Sequence, residues 1–186
     1  MDDRADSGYT LIEFVVTLAV MAILVTQAIP AFTDLIDSQR LRAAARHIAA
    51  DLRYARGEAL KRHADVPIGV SFSPGEHWCY GISQQLPCDC SVQDWRSPNA
   101  CLLDLSHDRQ LHANAGAAYR NIQLTEAAFS SGQTTLFDPL RGIARAGSII
   151  LQSARGKRLD IRISMLGRVR VCAPADSPSP AGFAPC

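Results

Sequence analysis

The chain has almost no net charge: nineteen Lys and Arg stand against eighteen Asp and Glu, for a formal charge of +1. Nothing global therefore marks it as the partner of a polyanion, and any such signal must be local. The usual constellations of an enzyme are also missing. No Ser/His/Asp set, paired carboxylates or glycine-rich phosphate loop stands in a convincing setting, and His47, His63, His77, His107 and His112 lack ligand spacing. No catalytic residue, metal or cofactor is expected. Asp104 and Asp108 read as solvated members of a polar loop. There is no internal repeat, and only the last residues are compositionally biased.

Charge is missing altogether from Phe14 to Thr33, a stretch long enough to cross a bilayer core as a helix. Basic residues are scarce before it. A secretory signal would begin with them and end in a cleavage site beyond its apolar core. The short leader instead sets Asp2, Asp3 and Asp6 against Arg4, and the candidate cleavage residue, Gly8, precedes the apolar run. Cutting between Gly8 and Tyr9 would leave the apolar helix on the product. A lone carboxylate, Glu13, stands at its entrance. The run Gly8-Tyr9-Thr10-Leu11-Ile12-Glu13-Phe14 resembles the class III signal of type IV pilins and pseudopilins. The resemblance implies cleavage by a prepilin peptidase, methylation of the new N-terminus, and filament assembly with other pilin subunits through Glu13. The acidic leader and Tyr9 depart from that family's basic leaders and its commoner phenylalanine.

With 186 residues and 47% hydrophobic content, the chain suits one domain plus an anchor. Beyond Pro30, which can bend the helix, Leu41, Ala45, Ile48, Leu52, Ala55 and Ala59 recur at alternating four- and three-residue steps, the stripe of an amphipathic helix. Arg40, Arg42, Arg46, Arg53, Arg56, Lys61 and Arg62 share its other faces with Asp51 and Glu58, which reads as a solvated surface. Asp65-Val66-Pro67 ends it.

The remainder reads as β. Val66, Ile68, Val70 and Phe72 alternate with small or polar residues; Ser73–Glu76 is a turn, and Trp78, Tyr80 and Ile82 form the return strand of a hairpin. Short strands are expected around Tyr119–Leu124 and Thr134–Phe137. Cys79, Cys88, Cys90 and Cys101 bracket an aperiodic loop. Cys-x-Cys spacing does not suit zinc, and a body beyond a membrane meets an oxidising compartment, so disulfides are expected. Cys79 and Cys101 each take one of the middle pair, in either arrangement. Cys172 and Cys186 bracket a tail rich in Pro, Ser and Ala, which a bridge would order.

The last third holds the local charge signal. Gly147–Leu151 reads as a buried strand, after which Leu159, Ile161, Ile163 and Met165 point inward. Val169 and Val171 also face the core, leaving Arg168 and Arg170 outward, about 6.6 Å apart by strand rise. Gly167 is a turn or bulge ahead of them. From Arg141 to Cys172 stand eight basic residues (Arg141, Arg145, Arg155, Lys157, Arg158, Arg162, Arg168, Arg170) and one acid, Asp160. Such a concentration fits a phosphate-backbone binder or a solubilising face.

F-D-P-L-R-G-I-A-R-A-G-S-I-I-L followed by L-G-R-V-R-V-C, on this N-terminus, is similar to the FimT/GspH group of minor pilins and pseudopilins. Gly167-Arg168-Val169-Arg170 matches the G-R-x-R motif associated with FimT proteins that bind DNA in natural transformation. The resemblance implies an α+β fold, with a long N-terminal helix on an antiparallel β-sheet head. It also implies double-stranded DNA as a partner, held by Gly167, Arg168 and Arg170, with Arg162, Arg158, Lys157 and Arg155 as neighbouring charge. The alternative is a structural minor pilin or GspH-like pseudopilin. The expected divisions are leader 1–8, membrane or filament-core helix 9–33, amphipathic helix 34–65, head 66–172 and tail 173–186. The expected location is the inner membrane, single-pass, with a periplasmic head, before assembly into the pilus.

Overall fold

The structure, a computed structural model, describes residues 10–62, 66–105 and 108–186. Gly8, Tyr9 and the expected helix stop at Asp65 lie outside the described residues. The fold is α+β: among the described residues, helix α1 (Leu11–Arg62) is followed by ten strands and one short 3-10 turn. The chain divides into two compact units, one ending at Ile36 and the other running from Asp37 to Cys186.

In the first unit α1 remains helical on both sides of Pro30. Its large apolar side chains are exposed, from Leu11 at 83% to Ile36 at 47%. Such a surface is stable only in lipid or against other apolar helices. The polar side chains are satisfied locally: Thr17, Thr26 and Thr33 each donate to the carbonyl three residues back, at 2.8, 2.8 and 2.9 Å. By length and composition this helix can cross a membrane.

In the second unit the expected helical stripe is buried: Leu41, Ala45, Ile48, Leu52, Ala55 and Ala59 are all at most 1% exposed. They join a single core with residues of two four-stranded sheets. Burial of each Leu or Ile contributes about 1.5–3 kcal/mol. The first sheet has the order β5-β2-β1-β7, from β1 (Ile68–Ser73), β2 (Cys79–Ser83), β5 (Ala113–Ala115) and β7 (Thr134–Phe137). The second has the order β10-β9-β8-β6, from β6 (Ile122–Phe129), β8 (Gly147–Ser153), β9 (Arg158–Ile163) and β10 (Val169–Cys172). All these pairings are antiparallel.

A hairpin of β3 (Leu102–Leu105) and β4 (Asp108–Leu111) occupies the stretch read as a polar loop. Asp104 pairs there with Arg109, its cross-strand neighbour, at 3.3 Å. Met165 is a second departure. Alternation carries it inward, but β9 ends at Ile163, and Met165 is 74% exposed in the turn that follows.

The cysteines pair as Cys79–Cys90, Cys88–Cys101 and Cys172–Cys186, and no free cysteine remains among the described residues. The first two bridges hold the loop between β2 and β3 over the outer side of the first sheet, where Cys88 N–H donates to Ser71 Oγ at 3.1 Å. Under α1, the Tyr80 hydroxyl donates to Asp51 Oδ2 at 2.8 Å and meets Tyr119 and His47. Burial pushes the Tyr80 phenol well above its ordinary range.

Candidate nucleic-acid interface

The G-R-x-R segment forms the connection between β9 and β10. Gly167 N–H donates to the Ser164 carbonyl at 2.9 Å, and Ser164 N–H donates to the Arg168 carbonyl at 3.1 Å, closing a three-residue loop. Such loops need a left-handed residue in last place, and Gly167 supplies it with φ +72°. Space makes the same demand. A Cβ at Gly167 would lie 2.3 Å from the Gly142 carbonyl oxygen and 2.7 Å from Arg56 Nε. The glycine therefore lets three segments converge: this hairpin, the loop at Gly142 and helix α1.

The register fixes which arginines come together. Arg170 is the direct cross-strand neighbour of Arg162, and Arg162 of Ser148. Arg162, Arg168 and Arg170 are exposed, while Ile161, Ile163 and Val169 between them are buried. The Arg168 N–H donates to Ser164 Oγ at 3.2 Å, but the guanidinium groups of Arg168 and Arg170 make no hydrogen bond or ion pair among the described residues. Arg162 Nη1 donates to the Cys186 backbone oxygen at 3.3 Å, and its Nη2 lies 3.9 Å from Asp160.

Farther along the same strand the charge is spent. Asp160 is only 3% exposed, on the outward side of β9, and accepts from Arg158 Nε at 2.8 Å and Nη2 at 3.2 Å. That two-pronged contact raises the Arg158 pKa further. Arg155 and Lys157 sit in the turn before β9, about 20 Å of strand from the hairpin. Lys157 Nζ donates there to Ser38 Oγ at 2.7 Å. Thus Gly167, Arg168, Arg170 and Arg162 are brought together, whereas Arg158, Lys157 and Arg155 lie toward the opposite end of β9.

Two helical arginines, read from sequence as solvated, enter the group. Arg53 Nη2 donates to the Val169 carbonyl, on the open edge of β10, at 3.2 Å. Arg56 Nε donates to the Gly142 carbonyl at 3.1 Å. Arg53, Arg56, Arg162, Arg168 and Arg170 line one open groove of about 900 Å³, and no acidic side chain lines it. These contacts span 116 and 86 residues of sequence, which helical periodicity cannot reveal. The one local hint is their three-residue spacing, which places both on one helix face.

The tail completes the surroundings. The Ala173 N–H donates to the Ala184 carbonyl at 2.9 Å, and the Cys186 N–H to the Ala173 carbonyl at 3.0 Å. Arg42 Nη2 donates to the Ala181 carbonyl at 2.9 Å, and Arg46 lies 5.9 Å from the centre of the Phe183 ring. Among the described residues, no group of three His, Cys, Asp or Glu side chains could hold a metal ion.

The family model of the type II transport protein GspH matches residues 44–167, more than half of the chain. The chain belongs to the GspH family. A second match, to the prokaryotic N-terminal methylation motif, covers residues 3–26. Together they make this chain a minor pilin or pseudopilin, processed by a prepilin peptidase, anchored by its apolar helix and assembled with other pilins. Among solved structures it is similar to the type IV minor pilin FimU of Pseudomonas aeruginosa strain PAO1. That likeness has 17% identity and a TM-score of 0.47 over 75% of this chain and 93% of the other. No curated protein matches the chain.

Proposed function

We propose that this GspH-family chain is a minor pilin that holds double-stranded DNA by its phosphates during uptake by a type IV pilus. The observation that carries the reading is the β9–β10 hairpin. It aims Arg168 and Arg170 at solvent with no acidic partner among the described residues, beside Arg162 on the neighbouring strand. Binding is independent of sequence, because arginines on a sheet face hold phosphates, and no element here is shaped to read base edges. Arg158, Lys157 and Arg155 extend the positive field along β9 and contribute less, since Arg158 is neutralised by Asp160.

In this reading residues 1–8 are a leader removed between Gly8 and Tyr9, and residues 9–33 are a single inner-membrane span that becomes filament core. Residues 34–65 are the amphipathic helix, 66–172 the periplasmic head and 173–186 its bridged tail. Glu13, exposed among apolar side chains in the single chain, partners the amine of a neighbouring subunit; an unpaired carboxylate there is costly. A mature chain beginning at Tyr9, read by mass spectrometry, is the expected product.

The test is a gel shift with the full chain in uncharged detergent on several unrelated duplexes at rising salt. Comparable binding to all, weakening steeply with salt, supports the proposal. The second reading, a structural subunit that primes filament assembly or type II secretion, is favoured by the family's description as a transport protein. It predicts no binding at low salt, and loss of DNA uptake only where filaments are lost.

A further inference from the structure

We infer that helix α1 supplies a second row of phosphate contacts, Arg53 and Arg56, across the groove from Arg168 and Arg170. The inference rests on the DNA-binding reading above and extends its footprint from the outer sheet face, around the edge of β10, onto the helix.

Position is the first support. Arg53 is held at the Val169 carbonyl, between Arg168 and Arg170 in sequence, and Arg56 at the Gly142 carbonyl that crowds Gly167. Both helical guanidinium groups are thereby fixed at the rim of the groove that the hairpin arginines line. Donor supply is the second. A guanidinium carries about five N–H groups, and each of these two spends one of them on a carbonyl. The remaining donors can meet an anion without breaking the bond that positions the side chain.

Charge is the third. The nearest helical acids are committed elsewhere: Asp51 accepts from Tyr80 and Asn114, and Glu58 from Lys61. The groove therefore presents five arginines and no carboxylate side chain. Duplex DNA carries about one charge per 1.7 Å of axis, so a backbone crossing the groove meets both rows. Sheet and helix then grip the same strand from two sides, a geometry that the sheet arginines alone do not provide.

A structural role for Arg53, capping the strand edge, is the competing explanation, and salt dependence separates the two. The full chain in uncharged detergent is titrated with a labelled random-sequence duplex at several salt concentrations. The variants are Arg53→Gln, Arg53→Lys and the pair Arg168→Gln/Arg170→Gln. Gln keeps a donor for the Val169 carbonyl and loses the charge; Lys keeps both. The expected result is weaker binding for Arg53→Gln, with the log–log salt slope reduced by about 0.9, and recovery of the slope in Arg53→Lys. An unchanged slope for Arg53→Gln overturns the inference, whether or not affinity falls. If the Arg168/Arg170 pair still lowers the slope in that case, the DNA reading stands without the helix. Absence of wild-type binding removes both.

Discussion

The two four-stranded sheets are built alike and exposed differently. In the first sheet, β1 is buried at five consecutive positions and β2 throughout. Such runs mark a sheet covered on both faces. The helix covers one side and the bridged loop the other, so even Ser71, Ser83 and Thr135 are at most 5% exposed. In the second sheet, exposed Arg162 and Arg170 interrupt the buried positions of β9 and β10, leaving part of the outer face to solvent. The first sheet has no basic residue in any strand; the second has Arg158, Arg162 and Arg170. A sheet closed on both sides can only support, whereas one left open can hold a ligand. Within the open sheet the same division recurs, between Arg158, bound to a buried carboxylate, and Arg168 and Arg170, bound to none.

The largest expected effect lies on the closed side. Replacing Cys79, Cys88, Cys90 and Cys101 by Ser releases the loop and costs about 5 kcal/mol, since native bridges in small domains are each worth about 2–5. Denaturant unfolding measures that loss. DNA affinity, measured where the variant remains folded, stays near wild type; a loss there would mean the closed sheet also touches DNA.

Next is Asp160→Asn, which leaves Arg158 without its buried counter-charge and costs about 3 kcal/mol. Affinity for DNA holds or rises, because a negative charge beside Arg162 is gone. A drop in affinity of the folded variant would show that Asp160 positions the binding arginines rather than merely neutralising Arg158.

The smallest effect is one of pH. Burial lowers the His112 pKa below its ordinary 6.5, against the pull of Asp51 and Glu58. The folded chain therefore holds this imidazole neutral where the unfolded chain takes up a proton. Above pH 6.5 His112 contributes no pH dependence. Below it, stability falls until the depressed folded value is passed. Comparing wild type with His112→Gln by unfolding at pH 7.5 and 5.5 should show a smaller acid loss in the variant. Arginines do not titrate in that window, so their contacts with DNA do not vary with it.

Much of this division was legible in the sequence. The helical stripe, the first hairpin, β7 and the inward set Leu159, Ile161 and Ile163 follow from periodicity, because half-buried elements must alternate. The G-R-x-R residues follow from motif and strand phase. Asp160 did not: alternation places it outward with Arg162, and only Arg158 and the region around Cys172, its cross-strand neighbour, explain its burial. Nor did Arg53 and Arg56, whose partners are distant in sequence, or the disulfide connectivity, for which spacing left two arrangements. The β3–β4 hairpin escaped because its strands are four residues each and include Asp104, Arg109 and Gln110, too short and polar to show a period.

The most direct test of the account is the salt dependence of DNA binding by the full chain with Arg168→Gln and Arg170→Gln together. Both side chains are exposed, so stability should change by no more than about 0.5 kcal/mol each. The account predicts weaker binding to every duplex alike, with the salt slope lower by about one to two units. Wild-type affinity and slope in the folded double variant would contradict it.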